Sequence, residues 1–298
     1  MQPRVRSWLQ LVRAPNLFTV GGDPLAGFFL ANFGIPTREA LFPILASFCL
    51  YAAGLVDNDL ADYQEDLRDR PSRPLPSGAI APATARATTG LLTVAALGLS
   101  AAAGLNCLLT ASALVLTVAA YNHFLKAIPV LGPLSMGLCR GLSLLLGAAA
   151  APASVFPTEV FLAATGLTLW IAGVTHLARH ETLRVLPPSA RFAPIAGLLF
   201  LLGSTLAWGR MGTPFWDQIG AYSLQVLLGT ASVIGLLNCL TIREGTPVPP
   251  RIGKLIRLLL PIQAGFCAST GLFGILAGLL LLALWPLSQR VSRSFYAS

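Results

Sequence analysis

Half of the acidic residues in this chain lie in one short stretch. Six of its twelve aspartates and glutamates fall between positions 57 and 69, directly after a long apolar run. If that run is a helix that continues into the stretch, four oxygen-bearing side chains recur at steps of three and four and form one stripe. These residues are Asn58, Asp59, Asp62 and Asp66.

Stacked carboxylates repel one another, and each charge at the edge of hydrocarbon adds about 2.5–3.5 kcal/mol on insertion scales. A divalent cation would compensate them. Mg²⁺ suits such oxygen ligands, especially when it also bridges substrate phosphates. The stripe therefore predicts a Mg²⁺ site, with a solvated acidic loop as the alternative.

Basic residues follow the stripe within a few positions. Arg68, Arg70 and Arg73 lie in a stretch that also contains Pro71, Pro74 and Pro76, and these prolines favour a stiff, non-helical path. Guanidinium groups match phosphate oxygens. Arg70 and Arg73 are therefore predicted to bind a phosphate beside the metal, unless they only form salt bridges within the loop.

Membrane helices must position these residues. The chain has 298 residues, of which 55% are apolar and 11% charged, and its mean hydropathy is +0.71; a soluble protein has about 25% charged residues. This composition excludes a water-soluble enzyme, and its apolar runs are long enough to cross a bilayer. We predict an all-α polytopic membrane protein whose residues 1–298 form a single integral membrane domain with nine transmembrane helices. The predicted spans lie near 15–35, 40–57, 85–104, 106–123, 130–151, 157–177, 192–209, 219–240 and 258–285.

The basic residues are distributed unevenly between the two sides of these nine spans. Sixteen of the twenty lysines and arginines fall on the side of the N-terminus and the stripe, and the other four, Arg38, Arg210, Arg290 and Arg293, fall on the far side. The positive-inside rule places that side in the cytoplasm of a cell (inner) membrane and the C-terminus on the opposite side. The net charge of +8 is explained by these loops, so no nucleic-acid partner is predicted.

The motif residues resemble those of a known family. The pattern NDxxDxxxD at 58–66, followed by RPLPSG at 73–78, is similar to the first signature of the UbiA superfamily of intramembrane prenyltransferases. The resemblance implies the nine-helix bundle of that family, a polyprenyl diphosphate held through Mg²⁺, and a lipophilic or aromatic acceptor in a cavity open to lipid. It also implies that Asn16, Tyr121 and Lys126 contact the head group.

The chain departs from that pattern after the sixth predicted span. The family has a second aspartate motif there, and this sequence has none at 175–184. Basic side chains are expected to contact phosphate in its place, or Glu181 remains as a lone acid, or the segment is a plain helix end. The residues concerned are His176, Arg179, His180, Glu181 and Arg184. This departure resembles the divergent UbiA-like branch of the EboC type.

One further acidic residue lies inside a predicted span. Asp23 is costly in hydrocarbon unless it faces a cavity or a partner, so we predict it as a substrate-binding residue, with pairing to another helix as the alternative.

The leading functional hypothesis is a Mg²⁺-dependent transferase that moves an isoprenyl group from a polyprenyl diphosphate to an aromatic or other small acceptor, with Asp59, Asp62 and Asp66 as catalytic residues. A non-catalytic binder or carrier of a lipid phosphate is the alternative. A cyclase and an ion-coupled transporter also stay open.

Overall fold

The computed structural model describes residues 3–152, 155–183, 185–208, 214–243 and 245–294. This part of the chain contains helices and no β-strand, which confirms the all-α prediction. The α-helices are α1 (Pro3–Leu11), α2 (Gly22–Ala31), α3 (Leu41–Ala61), α4 (Tyr63–Asp69), α5 (Pro82–Ala103), α6 (Leu105–Ala120), α7 (Leu131–Ala149), α8 (Thr158–Ala178), α9 (Pro188–Ser204), α10 (Pro214–Leu240), α11 (Pro249–Arg257), α12 (Leu259–Ala268) and α13 (Leu272–Ser294).

Eight helical segments of the described residues are long and apolar enough to cross a membrane. Seven of them coincide, within a few residues, with the predicted spans from the second to the eighth. The eighth segment runs from Leu272 to Ser292 and covers only part of the ninth predicted span. The chain is therefore a multi-pass membrane protein, although two of the nine predicted spans have a different form.

The predicted span 15–35 is not one continuous helix. A 3₁₀ turn at Ala14–Thr19 precedes α2, and α2 has only ten residues. Its length of about 15 Å is half of a hydrocarbon core of roughly 30 Å. The sequence explains the break, because the Gly21–Gly22 pair and Pro24 weaken helix continuity at this point. Nine of the ten α2 residues are buried, so protein rather than lipid surrounds this short helix.

The predicted span 258–285 is a hairpin. It contains α12 and the start of α13, separated by a turn at Gly271, whose φ of 104° favours glycine. The end of α13 returns to the motif side, since Trp285 and Gln289 line the same cavity as Arg73. The described end of the chain therefore lies on the same side as the motif loops, whereas the sequence analysis placed it on the opposite side.

This hairpin also changes the count of basic residues by side. Arg290 and Arg293, which were assigned to the far side, belong to the motif side because they lie on the last turns of α13. Arg140, which was counted with the loops, lies inside α7. The excess of basic residues on the motif side is therefore larger than predicted.

Small residues allow α2 and α7 to approach closely. A Cβ atom at Gly147 would overlap the carbonyl oxygen of Pro24, and one at Gly27 would overlap that of Leu144. Backbone atoms cannot move away as a flexible side chain can. The two helices therefore need glycine where they cross.

We expect Gly147→Ala to lower the free energy of unfolding by about 1–3 kcal/mol, the usual cost of overpacking a tight core. Thermal melting of the purified protein in detergent measures this effect. Gly90→Ala is the matched control, because a Cβ at Gly90, also within a spanning helix, meets open space. Equal melting temperatures for the two variants would contradict the close α2–α7 crossing.

Candidate active site

The predicted stripe of oxygen-bearing residues is carried by α3 and α4. Asp62 lies between the two helices, and its amide donates to the carbonyl of Asn58 at 3.0 Å. The amide of Asp66 in turn donates to the carbonyl of Asp62 at 2.8 Å. The helical path therefore continues past Asn58, as predicted. The side chains do not point into open water, since Asp59 is 8% and Asp66 3% exposed.

Two of the predicted phosphate-binding cations lie against the stripe. Arg73 forms an ion pair with the buried Asp66 at 2.7 Å. Lys126 forms an ion pair with Asp62, whose other carboxylate oxygen accepts a 3.4 Å hydrogen bond from Asn58. The structure thus brings together the first motif, the loop after α4 and the residue after α6, which are far apart in the sequence.

A small apolar cluster anchors the loop that carries Arg73. Leu75 and Ile80 are 1% and 3% exposed and pack with Leu11, Val56 and Ala85. The prolines keep the loop non-helical, as predicted, and the amide of Ile80 donates to the carbonyl of Pro74 at 3.0 Å. This packing holds the loop against α1, α3 and α5, and so fixes Arg73 beside the stripe.

A single π-helical turn, Tyr121–Leu125, ends α6. The amide of Lys126 donates to the carbonyl of Tyr121 at 3.0 Å, which is the wider spacing of this turn. The turn lets Asn122 donate to Asp57 at 2.8 Å while Lys126 reaches Asp62. Such turns occur frequently at functional sites.

Two cavities lie beside the stripe: Asn58 lines one of them, and Arg73, the partner of Asp66, lines the other, whereas the three aspartates line neither. We call the larger one the vestibule; it has a volume of about 810 Å³ and opens on the motif side. We call the smaller one the chamber; it has a volume of about 190 Å³ and lies among α3, α6 and α7. Arg13 lines both cavities. The polar or charged side chains of the vestibule include Arg13, Asn16, Arg70, Arg73, Glu181, Lys254 and Arg257, and those of the chamber include Arg13, Ser47, Tyr51, Asn58, Tyr121, Arg140 and Ser143.

The predicted residues at the end of α8 have different surroundings. Glu181 lines the vestibule. Arg179 instead donates to the carbonyls of Ile128 and Ala127 at 2.6 and 3.0 Å, so it holds the loop after α6. His180 donates through Nδ1 to the carbonyl of His176 at 2.9 Å, and the two rings meet edge to face. Arg184 lies outside the described residues.

Asp23 is enclosed in a network of polar groups instead of facing a cavity. It is fully buried, and one carboxylate oxygen lies 2.8 Å from a guanidinium nitrogen of Arg140 on α7. Gln263 on α12 donates to the other oxygen at 2.6 Å and to the carbonyl of Thr19 at 2.8 Å. Arg140 also donates to the Thr19 hydroxyl at 2.8 Å. This arrangement matches the alternative in which Asp23 pairs with another helix.

Several cavity-lining residues were not predicted as site residues. Arg13 has a φ of 46°, a left-handed conformation that a sequence does not reveal. Arg140 could have been found as a charged residue inside an apolar span. Lys254 and Arg257 were counted only as loop charges, and their approach to the vestibule depends on the position of α11.

The donor chemistry of the stripe fits Mg²⁺. Within the described residues, no three His, Cys, Asp or Glu side chains converge as metal ligands. The three aspartates are therefore not preassembled as one cluster, and Arg73 and Lys126 neutralise two of them. Mg²⁺ at a phosphate site needs only one or two carboxylates, because substrate oxygens and water supply the remaining ligands.

The fold and the site together define a class of protein. It is a polytopic α-helical membrane protein with an acidic helix, basic loops and one cavity at one end of the bundle, and with a second cavity within the bundle. Residues 24–185, more than half of the chain, match the model of the UbiA prenyltransferase family. The chain belongs to that family, which confirms the resemblance noted in the sequence.

Solved structures share this fold, and curated relatives match part of the chain. The structure of a UbiA homolog from Aeropyrum pernix K1 superposes with a TM-score of 0.64 at 20% identity, covering 88% of this chain and 98% of that one. A UbiA homolog from Archaeoglobus fulgidus bound to GPP and Mg²⁺ gives 0.64 at 14% identity, covering 88% and 99%. The digeranylgeranylglyceryl phosphate synthase of Haloquadratum walsbyi is 31% identical over 147 residues, which are 49% of this chain and 51% of the relative. The chain spans about half to three fifths of the length of the curated relatives it matches.

Proposed function

We propose that this protein is a Mg²⁺-dependent intramembrane prenyltransferase that moves an isoprenyl group from a polyprenyl diphosphate to a lipophilic or aromatic acceptor. The observation that carries the proposal is the acidic stripe, in which Asp59 and Asp66 are buried and two carboxylates pair with cations, next to a chamber that Asn58 lines. Family membership and the neighbour bound to GPP and Mg²⁺ support it. The charge distribution supports a cytoplasmic location for the motif side.

Each part of the site has a role in this proposal. Asp59 and Asp62 would hold Mg²⁺ with Asn58 beside them, and Asp66 would supply a further carboxylate. When bound, Mg²⁺ would neutralise the negative charge that develops on the leaving diphosphate.

The basic residues would bind phosphate oxygens directly. Arg73 and Lys126 form ion pairs with the stripe before substrate arrives, so both are already beside the position of the diphosphate. Arg70 and Asn16 line the vestibule through which the head group would enter. Such charge-assisted hydrogen bonds to phosphate oxygens are stronger than hydrogen bonds between neutral groups.

The chamber would hold the isoprenyl group next to the breaking bond. Leu114 and Val118 of α6 and Met136 of α7 line it, with the Tyr121 side chain at the motif end. An apolar, enclosed wall keeps water away from a reactive carbocation. The acceptor would meet the cation in the same space.

A test of the proposal uses the full-length protein in detergent or nanodiscs. Incubation with Mg²⁺, a lipid extract of the source membranes as the supply of acceptor, and prenyl diphosphates of several lengths should release diphosphate as the isoprenyl group passes to the acceptor, and chelation of Mg²⁺ should stop the release. Native mass spectrometry of gently extracted protein should find a bound isoprenoid or aromatic lipid.

A non-catalytic lipid-phosphate binder is the second candidate. It is favoured by one observation, namely that the end of α8 and the residues after it carry His176, Arg179 and His180 where the resemblance implies acids. Stoichiometric capture of a prenyl diphosphate without diphosphate release would select this candidate and contradict the enzyme.

A further inference from the structure

One charged group beside the stripe has no role in the proposed reaction. Asp57 lies on α3 directly before the stripe, yet the described residues that line the vestibule and the chamber do not include it. It lines a further cavity of about 180 Å³ among α3, α5 and α6. A residue in this place does not touch a substrate held in the other two cavities. Any effect of Asp57 on the reaction must therefore pass through another residue.

Asp57 ties the end of α6 to α3. Its carboxylate accepts a hydrogen bond of 2.8 Å from the side-chain amide of Asn122 and one of 3.1 Å from Nε2 of His123. The Asn122 amide also donates to the carbonyl of Gly54 at 3.0 Å, so both of its hydrogens are used on one turn of α3. Asn122 is only 3% exposed. A buried amide without these partners is costly, so the tie holds Asn122 in one orientation.

The tie acts on the π-helical turn that ends α6. The second and third residues of this turn, Tyr121–Leu125, are the ones that Asp57 holds. The amide of Lys126 donates to the carbonyl of Tyr121, five residues back, whereas a regular α-helix joins residues four apart. Each residue of an α-helix turns the chain by about 100°. Loss of the extra residue would therefore point Lys126 away from Asp62.

Few other contacts hold this turn on α3. Among the described residues, the side-chain hydrogen bonds between α3 and the turn all come from Asn122 and His123. α3 packs much more extensively against α5 than against α6. The approach of α6 depends on Gly54, because a Cβ atom there would lie 2.9 Å from Cγ1 of Val118. The position of the turn thus depends on the partners of Asn122.

We propose that Asp57 is a positioning residue, which holds the π-helical turn through Asn122 and so keeps the Lys126 ammonium beside Asp62. This inference rests on the proposed function, in which Lys126 binds the diphosphate. Lys126 is a point charge on a flexible stem, so the backbone must aim it. Without the tie, the turn relaxes to α-helical spacing and the cation leaves the stripe.

Amine labelling tests this role without any substrate. The chain has two lysines, Lys126 and Lys254, and the exposed Lys254 is the internal reference. The full-length protein in detergent is acetylated briefly, and mass spectrometry gives the ratio of labelling at Lys126 to labelling at Lys254. The ion pair with Asp62 stabilises the unreactive ammonium, so Lys126 should label slowly in the wild type. Asp57→Ala should raise the ratio by roughly three- to fivefold, the range for releasing a partly exposed ion pair.

Two further variants separate the tie from the charge of Asp57. Asp57→Asn removes the charge but keeps an oxygen that accepts from Asn122, and it should keep Lys126 protected. Asn122→Ala breaks the tie and leaves the charge, and it should release Lys126 as Asp57→Ala does. Ser47→Ala is the matched control, because it removes a buried hydrogen bond of 2.9 Å between α3 and α7 and should leave the ratio unchanged. Melting temperatures show that each variant is folded.

Binding of geranyl diphosphate with Mg²⁺ gives a second readout. Asp57→Ala should weaken binding by roughly three- to fivefold, because it displaces Lys126. Lys126→Met should weaken binding by about tenfold, since it removes a charged donor. In the double variant, Asp57→Ala should add nothing to Lys126→Met, because residues that act through one contact are not additive. A purely structural role of Asp57 would instead multiply the two effects.

Three results would overturn the inference. The first is a labelling ratio that is the same in the wild type, Asp57→Ala and Asn122→Ala. The second is release of Lys126 by Asp57→Asn as complete as that by Asp57→Ala, and the third is multiplied effects on geranyl diphosphate binding. The proposed function fails separately. A wild type that does not bind geranyl diphosphate contradicts the prenyltransferase, while the labelling ratios still decide whether Asp57 positions Lys126.

Discussion

Replacing Asp59 or Asp62 by asparagine is expected to reduce Mg²⁺-dependent diphosphate release by about 10²–10³-fold, the size of effect seen when one electrostatic contact to the transition state is removed. Both carboxylates lie on the stripe, and Asn58 donates to Asp62 at 3.4 Å. Asparagine keeps the shape of the side chain and removes the charge that would hold the cation. The measurement is the rate of diphosphate release at saturating Mg²⁺.

Asp69→Asn is the matched control for this experiment. Asp69 ends α4, is exposed, and lies in the same acidic stretch. Its replacement changes the net charge equally and should leave the rate within about twofold, since an exposed charge contributes little. If the stripe is only a solvated acidic loop, Asp59→Asn, Asp62→Asn and Asp69→Asn should all have the activity of the wild type. This result would refute the assignment.

The second large effect concerns stability. Asp23→Ala is expected to lower the free energy of unfolding by about 3–5 kcal/mol, because it leaves Arg140 as a buried charge without its partner. Gln263 would lose an acceptor in the same network. Three elements, α2, α7 and α12, meet at this point. Thermal or denaturant unfolding of the purified protein measures the loss.

A double variant distinguishes the effect of leaving Arg140 unpaired from the effect of removing side-chain volume. Asp23→Ala/Arg140→Met removes both charges and should recover part of the lost stability, since a buried pair replaced by apolar groups is often neutral. Arg38→Met breaks an exposed pair with Glu39 and should cost at most about 1 kcal/mol. A double variant less stable than Asp23→Ala would show that Arg140 does not depend on Asp23.

Most of the helical bundle could be predicted from the sequence because each apolar run is bounded by charges, prolines or glycines. The run after Leu258 was misread, because hydropathy does not register a tight turn of small residues, and the turn at Gly271 separates α12 from α13 inside an apolar stretch. The run after Pro15 was misread for a similar reason, since Gly21 and Gly22 allow a break inside a mainly apolar run. Both errors lie where short buried helices replace a full span.

The parts of the site formed by residues close together in the sequence could be predicted. The contacts between residues on distant helices could not. The spacing of Asp59, Asp62 and Asp66 indicated the stripe because helical periodicity is local. The ion pair between Lys126 and Asp62 joins residues 64 positions apart, and only the resemblance placed Lys126 at the site. The place of Lys254 in the vestibule depends on the packing of α11 on α8, which a single sequence does not encode in any short pattern.

The most direct test of the central claim is a structure of the protein with Mn²⁺ in place of Mg²⁺ and a non-hydrolysable prenyl diphosphate, with the metal located by anomalous scattering. The account predicts a peak within about 2.0–2.3 Å of carboxylate oxygens of Asp59 or Asp62 and of a phosphate oxygen, with the prenyl tail in the chamber. A diphosphate bound elsewhere, or bound by Arg73 and Lys126 with no metal beside the stripe, would contradict it.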